Sequence, residues 1–243
     1  MNTTLLLASV LDDFRSSNAL KYIVELAYVV AMALFIFSLH WMGDPKTARK
    51  GVFAGVWGMT AAILATWAGG DVTQHLWVLA PILLSIWPGM KLANVPITAV
   101  PQRTAVSHAF GGLAAGLVGT AEYFRWFLDP NLHHEMTPFR VSALLVEIVL
   151  GYLTFTGSVI AAGKLQEVKW IPQRPWVYPG QNLVNGLAAL GAIVLAVMIV
   201  MNPTAPMAPY YFGGVIVLSM IFGPMLVLPI GGADMPTVIA ILN

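Results

Sequence analysis

Seven stretches of this chain, roughly 21–42, 51–70, 72–92, 103–124, 140–164, 182–201 and 209–231, are apolar over the length of a membrane crossing. A helix needs about 20 such residues to cross the hydrocarbon core of a bilayer. An eighth stretch begins at Met235 and runs to Asn243, where the sequence stops. Inside hydrocarbon each backbone N–H and C=O must be bonded internally, which restricts single segments to helices. The expected fold is therefore all-α: a polytopic transmembrane helix bundle of about seven complete spans plus the start of an eighth, over residues 21–243. Composition agrees, since 58% of the residues are hydrophobic and 9% are charged, against about 25% charged in an ordinary soluble domain.

The connections are short and built for turns and interfaces: GDPKTARK, VPITAVPQR, DPNLHHEMTP and QEVKWIPQRPWVYPGQN. Their prolines, tryptophans and tyrosine suit the headgroup region, and no soluble domain fits between the spans. Residues 1–20 are expected to be either a loose tail or a helix lying on the membrane, with Leu7, Val10, Leu11 and Phe14 on one face. Two aspartates follow its short apolar run and no basic leader precedes it, which argues against a cleaved signal. Orientation follows from Lys and Arg in alternate loops. Lys46, Arg49, Lys50, Lys91, Arg103, Lys164, Lys169 and Arg174 make eight, against Arg15, Lys21, Arg125 and Arg140, which make four. The richer set is expected in the cytoplasm, with the N-terminus outside and the Gly231–Asp234 turn cytoplasmic.

A net charge of +1 gives no basic surface for nucleic acid. The absence of cysteine removes disulfides, thiolate metal sites and cysteine nucleophiles. No GxxxxGK[ST] loop and no GxGxxG after a strand occurs, so nothing marks a site for a nucleotide phosphate, and no HExxH-type spacing marks a metal. His133 and His134 are adjacent in a polar loop, while His40 and His75 sit at estimated membrane ends. Two GxxxG pairs, Gly51 with Gly55 and Gly112 with Gly116, are expected to bring helix backbones together. Gly111, Gly112 and Gly116 would thus press the helix carrying His108 against its neighbours.

His108 is the only group between Thr104 and Ala121 that changes charge near neutral pH. An ionisable side chain at membrane depth faces a bundle interior or a hydrated path by default. It can carry protons there, or simply be a bonded neutral imidazole. Glu25, Glu122 and Glu147 lie in or near apolar helices, and an unpaired carboxylate such as Glu147 would be driven toward its neutral form. Ser107, Thr154, Thr156, Ser158, Asn185 and Ser219 accompany them, although such groups often bond their own backbone. Finally, LPIGGADMPTVIAILN interrupts an apolar helix with Pro229, Gly231 and Gly232. It sets Asp234 at the expected N-cap of the next helix and Pro236 in its first turn.

The strings AYVVAMALFIFSLHWMGDPKTARKG, VPITAVPQRTAVSHAFGGLAA, TFTGSVIAAGKL, PGQNLVN and GGADMPTVIAILN follow in order over about residues 27–243. Together they resemble the membrane domain of the beta subunit of proton-translocating NAD(P) transhydrogenase. The resemblance implies a multi-pass subunit of a bacterial inner membrane, within a translocase and oxidoreductase that couples proton re-entry to hydride transfer from NADH to NADP+. It implies a proton path using His108, Ser158 and Asn243, and an Asp234 turn with Gly231 and Gly232 facing a cytosolic NADP(H)-binding domain. Glu147 is a candidate from its depth alone. The implied partners are the alpha subunit, which binds NAD(H), and the remainder of beta, which binds NADP(H), in a dimer of the complex. This chain, which stops before that domain, is expected to be a fragment or a split gene product that binds neither cofactor itself. A secondary transporter of a small solute is the alternative, because broken helices often mark binding sites; no internal repeat supports it.

Overall fold

The computed structural model describes residues 18–69, 72 and 74–242. The expectation for the N-terminal tail, and the candidate Asn243, therefore lie outside the described residues. The described chain is helical: α1 (Asn18–Met42), α2 (Ala48–Ala68), α3 (His75–Ala93), α4 (Val100–Leu128), α5 (Pro138–Leu165), α6 (Gln181–Met201), α7 (Ala208–Val227) and the short α8 (Met235–Leu242). Six of these are long and apolar enough to cross a membrane. The 29-residue α4 is long enough but less apolar, because Gln102, Arg103, His108, Glu122 and Arg125 interrupt its small residues.

The chain divides into two units, residues 1–89 and 90–243. In the first, α1 and α2 form a hairpin whose contact is made by glycine. A Cβ on Gly51 would meet the Ser38 carbonyl at 2.8 Å, one on Gly55 would meet Ser38 Oγ at 2.9 Å, and one on Gly58 would meet the Ala31 carbonyl at 3.2 Å. Ser38 itself is buried and donates to the Gly51 carbonyl at 2.7 Å. Tyr28 and Thr66 join their hydroxyls across the hairpin at 2.9 Å.

In the second unit α4 and α5 cross at the other glycine pair. A Cβ on Gly112 would meet the Gly151 carbonyl at 2.8 Å, one on Gly116 the Tyr152 ring at 3.0 Å, and one on Gly119 Ile148 Cγ1 at 2.8 Å. Gly111 was expected in this contact but has nothing within 4 Å of its would-be Cβ; one residue from Gly112 is about 100° around the helix, so it points away. Helix α5 starts where Thr137 accepts from the Arg140 N–H and Pro138 follows, a residue pair suited to a helix start. One core cluster joins Tyr123, Ile148, Tyr152, Ile199 and Phe212, with the Tyr123 and Phe212 rings stacked at 3.9 Å. A second joins Ala105 of α4, Ala161 and Ala162 of α5, Val227 of α7, and Met235, Val238 and Ile239 of α8.

The apolar stretch 209–231 does not stay helical to its end. Helix α7 stops at Val227, because Pro229 has no N–H to continue the ladder. Gly231 is extended, with φ −68° and ψ 155°, and residues 232–234 make a single 3-10 turn into α8.

Candidate functional site at the helix break

His108 lies on α4, three residues after the fully buried Ala105 and four before Gly112. It is half-buried, and its ring makes no hydrogen bond to another described residue. Ser158 lies on α5 and is wholly buried, with no hydrogen-bond partner for its Oγ. Most buried polar groups are paired, so this hydroxyl differs from its neighbours. Thr156 donates to the Tyr152 and Leu153 carbonyls and Ser219 donates to Val215, which is the ordinary backbone-bonded state of a hydroxyl in a membrane helix. Beside Ser158, the bare Gly157 leaves room for Leu242, whose Cδ1 would sit 3.3 Å from a Cβ there. Thr154 Oγ1 also donates to the Leu242 carbonyl at 3.5 Å. The last described residue of α8 is thus held against α5 within about a turn of Ser158.

The break itself is organised by a residue that sequence reading treated only as one of eight loop cations. Lys164, in the last turn of α5, is 1% exposed. Its Nζ donates to the Leu228 carbonyl at 2.7 Å and to the Ile230 carbonyl at 2.5 Å. These carbonyls flank Pro229, beyond the reach of any helical N–H. The connection after α5 completes the enclosure: the Trp176 N–H donates to Leu228 at 3.1 Å, and the Gly232 N–H donates to the Gln173 carbonyl at 3.4 Å. Gln102 at the start of α4 donates through Nε2 to the Leu165 carbonyl at 3.2 Å. The start of α4, the end of α5 and the break thus share one end of this unit. A lysine in a helix's last turn can bond free carbonyls, but that these belong to another helix is not written in the local sequence.

Asp234 directly precedes α8, where a cap was expected, yet its exposed carboxylate makes no hydrogen bond to a described residue. The turn is closed by backbone instead, with the Asp234 N–H donating to Gly231 at 3.1 Å. Gly231 and Gly232 lie under the connection after α5, with Pro175 and Gln173 atoms 3.8 and 3.7 Å from their would-be Cβ positions.

Glu147 is not brought to His108. It is exposed on α5 beside Gly119 of α4, and Gly119 is eleven residues from His108, about 16 Å along the helix. Glu147 and Glu122 instead line one cleft of about 360 Å3 with Arg140 and Trp126. There Glu122 pairs with Arg125 at 2.5 Å, and Arg140 pairs with Glu135. His133 and His134 bond the Phe127 and Asn131 carbonyls, and His75 accepts from the Trp67 indole at 2.8 Å. Among the described residues no group of three or more metal-ligating side chains occurs. A cavity of about 380 Å3 between α5, α6 and α7 is walled by aliphatic side chains and Phe222, with Ser142 and Ser219 as its hydroxyls.

Residues 24–243 match the family model described as NAD(P) transhydrogenase beta subunit. A NAD(P) transhydrogenase subunit beta of Rhodospirillum rubrum is 37% identical over 223 residues, which cover 89% of this chain and 46% of the relative. A second Rhodospirillum rubrum sequence of the same description matches equally. The chain spans about half the length of these curated relatives.

Proposed function

The chain belongs to the NAD(P) transhydrogenase beta subunit family, and on that premise we propose that it carries protons across the membrane, coupled to hydride transfer from NADH to NADP+ in partner domains. His108 takes a proton from the outer side and releases it inward, since imidazole exchanges protons near neutral pH. Ser158 and Asn243 serve the same path as hydrogen-bonding groups, and Glu147, in its cleft with Glu122, stands toward the outer mouth. The Gly231–Asp234 turn faces the cytosol and couples the path to the domain that binds NADP(H). The partners are the remainder of beta, which holds NADP(H), and the alpha subunit, which holds NAD(H), in a dimer of the complex in a bacterial inner membrane.

The observation that carries this reading is the packing of α4, α5 and α8 into one cluster through Ala105, Ala161, Ala162, Val238 and Ile239. His108 and Ser158 each lie about one turn from a member of that cluster, and Asn243 directly follows Leu242. His108 and Ser158, distant in sequence, thus come from helices that touch each other and the helix that Asn243 follows in sequence. The solute-transporter reading loses its ground, because the carbonyls freed by the break are bonded to Lys164 and to backbone. The cavity between α5, α6 and α7 has apolar walls and no cation for a phosphate. The placing of NAD(H) and NADP(H) on partner domains, which supply the hydride chemistry, rests on the family to which the chain belongs.

The test is His108→Ala in the complete complex, reconstituted in vesicles. Proton movement coupled to transhydrogenation is expected to fall to about a hundredth or less, the usual scale for losing a group that transfers protons, with assembly retained. Near-normal pumping would overturn the reading.

A further inference from the structure

The Lys164 ammonium is the charge most deeply placed among the described residues, and neither proton transfer nor nucleotide contact, as proposed above, uses it. A buried cation normally has a carboxylate partner. Among the described residues Lys164 has none; its two bonds go to main-chain carbonyls on either side of Pro229. Such an arrangement is costly for stability alone, because an apolar side chain of similar volume often packs as well as a buried ion. What the ammonium supplies that an apolar group cannot is a fixed distance between the end of α5 and the break.

The backbone beneath it is fixed as well. After α5 the chain turns through Glu167, which holds the left-handed conformation at φ 50°. This lets the Glu167 N–H return to the Lys164 carbonyl at 3.1 Å and the Val168 N–H to Gly163 at 3.0 Å. Helices often close in this way, but with glycine at the left-handed position. A glutamate there carries a steric cost that glycine does not. Ile171 is folded back over bare Gly163, so Lys164 emerges from a closed turn rather than from a fraying end.

We propose that Lys164 is a positioning residue, whose ammonium ties the helix that carries Ser158 to the Pro229–Asp234 break so that the Asp234 turn and the proton path move as one body. The inference rests on the function proposed above and deepens it. Coupling between two sites requires an element with discrete arrangements that both sites bias, and a rigid tie between α5 and the break transmits a displacement of either. Removing the tie leaves the path and the turn in place but lets each move without the other.

The experiment uses the complete complex in vesicles, with hydride transfer measured with and without an imposed proton gradient. For Lys164→Met, the ratio of the two rates per assembled complex is expected to drop about fivefold or more, the lower range of an ordinary coupling energy. A merely structural lysine would change the amount of assembled complex and leave that ratio alone. The double variant with Asp234→Asn is expected to be no worse than the poorer single variant, since residues acting through one another are not additive. A wild-type ratio in Lys164→Met, or losses that multiply in the double variant, would overturn the proposal. If Lys164→Met does not assemble, Lys164→Gln is read by the same ratio, and failure of both to assemble assigns Lys164 to folding and rejects the inference. His108→Ala in the same vesicles separates the two readings: normal pumping there removes the proposed function, whereas loss there with a normal Lys164→Met ratio removes only the tie.

Discussion

Asp234 and Lys164 sit at the same break and are opposite in every respect that matters for chemistry. The lysine is buried and fully engaged, while the carboxylate is exposed and makes no hydrogen bond to a described residue. A carboxylate serving as a helix cap contributes about 1 kcal/mol through its bond to a backbone N–H. Asp234 makes no such bond, so Asp234→Asn should leave the fold and its thermal midpoint nearly unchanged. If the charge instead meets the nucleotide domain, the same substitution should alter NADPH release by about fivefold or more, and by linkage should alter the response of release to a proton gradient. Stopped-flow release from the whole complex checks this, and wild-type release with a wild-type gradient response would leave Asp234 without a coupling role. Ser158 makes a related point about legibility. Its position was readable only through the family resemblance, because composition and spacing treat it like Thr156 and Ser219. The difference between them is that two hydroxyls are bonded to their own helix and one is not, which spacing along the chain does not announce.

Among the elements, the crossing of α4 and α5 decides where His108 and Ser158 lie relative to each other. It is made by glycine facing backbone: a Cβ on Gly151 would meet the Gly116 nitrogen at 2.6 Å and the Gly112 carbonyl at 2.8 Å. Backbone cannot rotate away as a side chain can, so Gly151→Ala must separate the helices. The expected cost is about 1–3 kcal/mol, the range for overpacking a tight contact. It should appear as a lower thermal midpoint of the purified complex, together with slower proton-coupled turnover. Gly111→Ala is the control, since open space surrounds that position, and it should leave both measurements alone. This contact was legible in outline, because glycines four apart in an apolar helix announce a close approach. Which of two adjacent glycines faces the neighbour was not, since the direction of a helix face depends on where the helix packs. The end of α7 was likewise legible through Pro229, whereas the donor that satisfies the freed carbonyls comes from 64 and 66 residues away.

Across the whole molecule, length and apolarity were enough to give the fold class, because a bilayer leaves a spanning segment few choices of backbone. Six of the expected spans keep that apolarity in the structure, while α4 is long enough to span and is interrupted by polar residues. An ionisable group at membrane depth is a candidate functional site by default, and on α4 His108 is such a group, whereas Glu122 and Arg125 pair with each other near the helix end. Among the described residues, polar groups at membrane depth are few and separated. A nucleotide site needs backbone donors and cations converging on phosphate. Among the described residues the buried cation Lys164 is already committed to carbonyls, and the cavity between α5, α6 and α7 is lined almost wholly by apolar side chains. The purified chain in detergent should therefore give no calorimetric signal with NADH, NAD+, NADPH or NADP+ at concentrations up to about 1 mM, where even a weak site releasing about 4 kcal/mol would be half filled. Adding the separately expressed NADP(H)-binding part of a beta subunit should give binding of NADPH alone if, as proposed, NAD(H) is held by alpha. Micromolar binding of either nucleotide to this chain by itself would place part of the hydride chemistry within residues 1–243 and would contradict the division of labour on which the proton-path reading depends.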